Sequence, residues 1–152
     1  MDEQLATKVV ISDRPFPVPI EMRPLWRICL ILLSIFTVSQ EKEYLDIKKI
    51  NILVWMLIRK SKWGEYEDFL SGRSVDLPLV SVDTASYKAV EFAIAKEFVE
   101  LKAGRLYLAE KGKTLIALLR GNEIMADEHG FLSKNGRHLT EQKVKSLTGG
   151  LI

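Results

Sequence analysis

Apolar residues recur at helical spacing in the first half of the chain. Pro24 suits the first turn of a helix, and the apolar positions after it predict a first helix to about Ser39. Asp46 can cap a second helix that runs to about Arg59. Both helices are apolar on more than one side, which is typical of helices that are buried or that bind a partner.

The pattern changes in the second half of the chain. Thr84 or Asp83 begins a third helix, which ends near Glu97. Apolar residues then alternate on both sides of Ala103-Gly104, as in a β-hairpin. A fourth helix follows over residues 110–121.

The remaining segments are less regular. Residues 1–23 form a predicted extended arm, because prolines alternate with apolar residues at Pro15, Pro17 and Pro19. We expect a short helix and then a loop with a short strand over residues 60–83. Residues 122–152 are predicted to be a polar tail with a short helix that Thr140 caps.

This order of elements predicts a mainly α, α+β fold: a winged-helix domain over residues 24–121, with the hairpin as its two-stranded wing. The run Leu101-Lys102-Ala103-Gly104-Arg105-Leu106-Tyr107-Leu108-Ala109-Glu110-Lys111-Gly112 resembles the wing-to-helix signature of many winged-helix proteins. Ala109 stands where a capping hydroxyl is usual, a difference that costs about 1 kcal/mol.

The chain carries no recognisable catalytic motif. Its glycines lack the spacing of a phosphate-binding loop. Asp127-Glu128-His129 is the one dense ionisable group, and we interpret it as a solvated turn rather than an acid-base or metal site. We therefore expect no enzymatic activity, no cofactor, no metal and no small-molecule substrate.

Composition indicates a folded protein in a reducing compartment. The 152 residues are 47% hydrophobic and 28% charged, enough to bury a core and stay soluble. Cys29 is the single cysteine and lies in an apolar run, so an unreactive core thiol in the cytoplasm is expected. The run from Leu25 to Val38 is shorter than the roughly 20 residues that span a bilayer, and we expect a buried helix and no membrane.

Charge weakens the usual inference from a winged helix to DNA recognition. The net charge is only +2, and the third helix has no arginine and no net charge over residues 84–97. The wing and the helix after it are basic, with Glu110 as the single acidic residue among residues 102–120. Either this is a solvated basic face, or it makes non-specific phosphate contacts through Lys102, Arg105, Lys111, Lys113 and Arg120.

Apolar surface favours a protein partner. A small domain has few elements with which to cover two apolar helices, and a leftover apolar patch marks a partner site. Aromatic residues are enriched at interface centres, although each residue could equally belong to the core. The interface candidates are Phe16, Trp26, Leu30, Leu33, Ile52 and Trp55.

Three segments together resemble one family. They are Pro15-Phe16-Pro17, Arg23-Pro24-Leu25-Trp26-Arg27 leading into Leu30-Ile31-Leu32-Leu33, and Leu45-Asp46-Ile47-Lys48-Lys49-Ile50. They resemble the small middle components of bacterial ABC-three-component systems, the group that includes the Lamassu antiphage systems, over residues 15–120. The resemblance implies a non-catalytic winged-helix accessory subunit beside an SMC-like ATPase and an effector, often a nuclease.

Two other hypotheses remain open. The chain could be a winged-helix transcription regulator that reads duplex DNA with third-helix residues such as Tyr87 and Lys88. It could also be an antitoxin-like or adaptor module with a single small partner.

Overall fold

The computed structural model describes residues 23–149, which fold into seven α-helices and one small sheet. The helices are α1 (Pro24–Ser39), α2 (Ile47–Ile58), α3 (Trp63–Ser71), α4 (Thr84–Ala95), α5 (Glu110–Gly121), α6 (Ala126–Asn135) and α7 (Glu141–Thr148). The strands are β1 (Tyr44–Asp46), β2 (Val99–Lys102) and β3 (Arg105–Leu108). The protein is therefore mainly helical, as predicted. The predicted arm lies outside the described residues, except for Arg23.

Helix α1 is the centre of the fold. It packs against α2, α4, α5 and α6, and every residue from 27 to 35 is buried. Its apolar residues cover most of its circumference, so neighbours on several sides are needed to exclude water. The predicted burial of this helix is confirmed.

The same segment satisfies the length and composition of a membrane span. Among the described residues, Pro24–Lys42 is 19 residues long and apolar enough to cross a bilayer, and half of its most apolar window is buried inside the protein. A core helix satisfies the same criteria.

The sheet is antiparallel and has the strand order β1-β3-β2. Strands β2 and β3 form the predicted hairpin, with Lys102 opposite Arg105. Ala103 and Gly104 both have positive φ, the conformation of a two-residue type I′ turn. The third strand was not predicted: β1 pairs with β3 through Tyr44 opposite Tyr107.

The short strand predicted in residues 74–82 is wrong, since these residues contain no strand in the structure. The segment has no regular secondary structure, and Asp76 forms a bend within it. Pro78 contributes no amide donor, which is one physical reason why the segment does not enter a sheet.

Residues 122–149 contain the predicted short helix, α7, which Thr140 caps by accepting a hydrogen bond from the Lys143 amide, and they also contain α6. Phe131 and Leu132 of α6 and Leu139 after it are buried against the rest of the protein. The interpretation of Asp127-Glu128-His129 as a solvated turn is wrong, because all three residues belong to α6 and Glu128 is 3% exposed. The Glu128 carboxylate pairs with Lys60 at 3.2 Å, and this partner is distant in the sequence.

Candidate protein-interaction surface

The aliphatic interface candidates from the sequence lie in the core. Leu30, Leu33 and Ile52 are each at most 1% exposed in the folded chain. Their helices are apolar on several sides, and the structure covers α1 with α2, α4, α5 and α6 and covers α2 with α1, α3 and α7. In the described fold these three residues belong to the core, the alternative that the sequence left open.

The two tryptophan candidates are half-buried. Trp26 packs against the core with part of its surface accessible. The ring of Trp55 is covered by Arg59, whose guanidinium carbon lies 3.2 Å from the ring centroid. Arg59 also donates a hydrogen bond to the Trp55 carbonyl at 3.0 Å, which holds the side chain over the ring. Phe16 lies outside the described residues.

Exposed apolar side chains concentrate instead on the segment between α3 and α4. Val75, Leu77 and Leu79 are 93%, 58% and 82% exposed. They alternate in sequence along a segment without regular secondary structure, in which Asp76 forms a bend. We call these three residues the apolar strip.

Two neighbouring residues anchor the strip to the body of the protein. Pro78 and Val80 are buried, so the backbone is fixed while the strip points outward. Val80, Val82 and Tyr87 line a groove of about 460 Å³ against α2. The strip is therefore presented by a supported segment.

The backbone of this segment has unused hydrogen-bonding groups. Within residues 23–149, no backbone hydrogen bond involves residues 77–82. Exposed apolar side chains on such a segment mark a surface that another protein can cover. The alternation at Val75, Leu77 and Leu79 was visible in the sequence, but it predicted a strand and not its exposure.

The basic residues of the wing are already engaged. Lys102 pairs with Glu100 at 3.3 Å, and Lys111 pairs with Glu97 at 3.2 Å. Lys113 lies 3.1 Å from Glu43 and 3.4 Å from Glu110. Hydrogen bonds to these two carboxylates are the main reason that the pKa of Lys113 is raised.

The two arginine candidates rest on aromatic rings. The Arg105 guanidinium lies 4.8 Å from the centroid of Tyr44, and that of Arg120 lies 5.3 Å from the centroid of Phe36. The five candidate phosphate contacts therefore carry carboxylate or aromatic partners and form no uniformly positive face.

Helix α4 presents apolar rings and balanced charges to solvent. Tyr87 is 57% exposed and Phe92 is 47% exposed. Lys88 and Glu91 are also exposed, and their charges cancel. A helix that reads base edges normally carries arginine, lysine, asparagine or glutamine toward the groove, so this face suits a protein better than DNA.

No set of three or more metal-binding side chains comes together within residues 23–149. His129 is partly covered in α6, and this burial, assisted by the charge of Arg120, lowers its pKa. Its ring lies 3.5 Å from the Ser133 hydroxyl, one turn further along the same helix.

Comparisons of the chain with protein-family models, with curated proteins and with solved structures found no match. The resemblance to the middle components of ABC-three-component systems thus stays a prediction.

Proposed function

We propose that the chain is a non-catalytic winged-helix accessory subunit that bridges an SMC-like ATPase and an effector in a bacterial antiphage defence complex. The identity of these partners rests on the sequence resemblance described above. The observation that carries the role of an assembly subunit is the apolar strip, three exposed side chains on a segment that the buried residues Pro78 and Val80 anchor.

The order of the elements supports a winged-helix domain. Helix α1, strand β1, helix α2, helix α4 and the β2–β3 hairpin follow one another as in that fold, and β1 pairs with β3. One difference is large: α3 and the apolar strip are inserted between α2 and α4, where winged-helix domains have a short turn. This insertion carries the most exposed apolar residues of the domain, which fits a role in binding a protein.

The charges favour this role over that of a transcription regulator. Lys102 and Lys111 are paired with carboxylates, Arg105 rests on an aromatic ring, and α4 has no net charge on its exposed face. A regulator needs positive charge toward phosphates and polar side chains toward base edges. No feature of the described surface favours sequence-specific DNA recognition.

Co-purification with the products of the adjacent genes tests the proposal. We expect the tagged chain to retain a large coiled-coil ATPase and an effector. The triple variant Val75→Asp, Leu77→Asp, Leu79→Asp should lose at least one of them while keeping the thermal unfolding of the wild type. Leu118→Asp is a matched control, because Leu118 is 57% exposed on α5 and lies outside the strip.

Three outcomes would contradict parts of the proposal. A well-behaved monomer that retains neither gene product would reject the assembly role. Retention of both partners by the triple variant would reject the strip as their binding surface. Sequence-specific duplex binding that disappears when Tyr87 and Lys88 are changed would identify a transcription regulator instead.

A further inference from the structure

A second surface of the protein is a cleft of about 900 Å³. It lies between the C-terminal end of α1, strand β1, the first turn of α2 and the last helix, α7. Val38, Leu45 and Val144 supply apolar walls. Tyr44 also lines the cleft, on the side of the sheet.

Positive charge predominates in this cleft. Only Asp46 and Glu141 are acidic among its lining residues. Asp46 already accepts a hydrogen bond from the backbone amide of Lys48 at 2.9 Å, as the cap of α2. The basic lining residues are Lys42, Lys48, Lys49, Arg105, Arg137 and Lys145.

These cations differ from those of the wing because most of them lack a counter-ion. Arg105 rests on the Tyr44 ring. Within residues 23–149, no ion pair includes any of the other five basic residues of the cleft: Lys42, Lys48, Lys49, Arg137 and Lys145. Wing lysines with similar exposure each have a carboxylate within 4 Å. The positive charge of the cleft is thus concentrated and only partly compensated, by Asp46 and Glu141.

The ammonium group of Lys49 is partly desolvated in the cleft. Its side chain is half-buried, and this burial lowers its pKa. Glu141 and Asp46 oppose that effect from a distance, while Lys42 reinforces it. An anion placed in the cleft would favour the charged form of Lys49 against this burial.

We propose that this cleft binds a small ligand that carries two or more phosphate groups and has the size of a nucleoside di- or triphosphate. Its volume lies in the range of small-molecule sites, roughly 300–1,000 Å³. Six cations against two carboxylates match the charge of a polyphosphate chain, and the apolar walls suit a ring attached to it. The ligand is bound and not transformed, so the site adds to the proposed function without making the protein an enzyme.

An acidic peptide fits the cleft less well. Side chains on one face of an extended peptide recur roughly every 7 Å, so few carboxylates could enter together. Consecutive phosphates deliver several charges within a shorter distance. A nucleic-acid strand would need positive charge continuing beyond the cleft, and on the wing the cations are paired.

Calorimetric titration of the full chain with inorganic tripolyphosphate and with adenosine triphosphate tests the proposal. The variant Lys49→Gln, Arg137→Gln should weaken the binding of both probes by about tenfold or more, because charge-assisted hydrogen bonds are lost. The matched control Lys102→Gln, Lys111→Gln removes the same charge from paired wing positions and should leave affinity unchanged.

A second variant separates a loss of binding from a loss of folding, because Lys49 is half-buried and its substitution could destabilise the protein. Lys42 and Lys145 are exposed, so Lys42→Gln, Lys145→Gln should keep the thermal unfolding of the wild type and still weaken binding. Equal losses in the cleft and wing variants would overturn the proposal, as would the absence of binding to either probe. The proposal would also be overturned if a glutamate-rich peptide or a single-stranded oligonucleotide displaced both probes and bound more tightly than either, with a loss of that binding in the cleft variants.

Discussion

Arg27 and Asp83 are 56 residues apart in the chain, yet Nη1 of Arg27 lies 3.3 Å from Oδ1 of Asp83. The same Nη1 donates to the Ser86 hydroxyl at 2.9 Å, and the Ser86 amide donates to Asp83 at 2.8 Å. Arg27 is 4% exposed. This network connects the first turn of α1 to the N-terminus of α4 and so fixes the end of the segment that carries the apolar strip.

Asp83→Asn should destabilise the protein by about 1–3 kcal/mol at neutral pH, because Arg27 loses its counter-ion. The expected loss is below that of a fully buried pair, since the Asp83 side chain is 37% exposed and water screens it. Asparagine remains a good helix cap, so the change isolates the charge. Chemical denaturation measures the effect, and Glu91→Gln on the exposed face of α4 should change stability little.

The same substitution should flatten the acid side of the stability profile. Burial alone would raise the pKa of Asp83, but hydrogen bonds from Ser86 and the charge of Arg27 bring it below its ordinary value. A carboxylate with a lowered pKa in the folded state stabilises it above the ordinary value, near pH 4, and this stabilisation is lost as pH falls through the folded-state pKa. Denaturation between pH 2 and 7 should show a smaller slope in Asp83→Asn, and an unchanged slope would reject this role.

Two glycines of the same helix should respond in opposite ways to alanine. A Cβ on Gly112 would lie 2.3 Å from the backbone carbonyl oxygen of Phe98, whereas one on Gly121 would meet nothing within 4 Å. Gly112→Ala should therefore cost about 1–3 kcal/mol or more by overpacking. Gly121→Ala should be neutral or slightly stabilising, since alanine favours a helix. Thermal unfolding of both variants checks this, and equal effects would contradict the packing of α5 on the end of α4.

The helices with long apolar stripes could be predicted closely from the sequence. Helix α1 begins at Pro24 and ends at Ser39 as expected, and Asp46 caps α2 through the amide of Lys48. These signals are local: a proline, a capping side chain and a period of 3.6 residues. The hairpin could also be predicted from the sequence, because its alternating strands flank the turn residues Ala103 and Gly104, which adopt positive φ.

Elements that depend on distant partners could not be predicted in this way. Strand β1 has three residues, too few for a period, and exists because it pairs with β3. Helix α6 contains Gly130 and a cluster of charges, so its sequence indicated a turn. Its charged residue Glu128 is buried against Lys60, a contact that only the tertiary structure reveals.

The candidate interaction surface also depends on the tertiary structure, and the sequence alone did not predict it. Strong apolar character in the sequence predicts Leu30 and Leu33 as interface candidates, but the structure places both side chains in the core. The apolar strip carries fewer apolar residues than α1, and only its exposure identifies it. The sequence pattern shows which residues are apolar, whereas a partner surface consists of the apolar residues that stay exposed to solvent after folding.

Phe131 should contribute to stability as a core residue. It is 3% exposed, and its ring centroid lies 4.7 Å from that of Trp63. Phe131→Ala should cost about 3–5 kcal/mol through lost burial and a cavity. Ile124→Ala is the control, because Ile124 is 47% exposed and should lose little. If both variants unfold like the wild type, residues 122–149 are not part of the cooperative fold.

The thiol of Cys29 should be unreactive until the protein unfolds. Its side chain is 5% exposed in α1, and burial raises the pKa of the thiol from 9.0 to about 11. At pH 8 this shift alone lowers the thiolate fraction by about a hundredfold, and the thiolate is the reactive species. A coloured disulfide reagent should therefore modify the native protein at least that much more slowly than the denatured protein. The variant Leu118→Cys supplies an exposed thiol on α5 as the control, and a native Cys29 that reacts as fast as this thiol would contradict the packing of α1 at the centre of the fold.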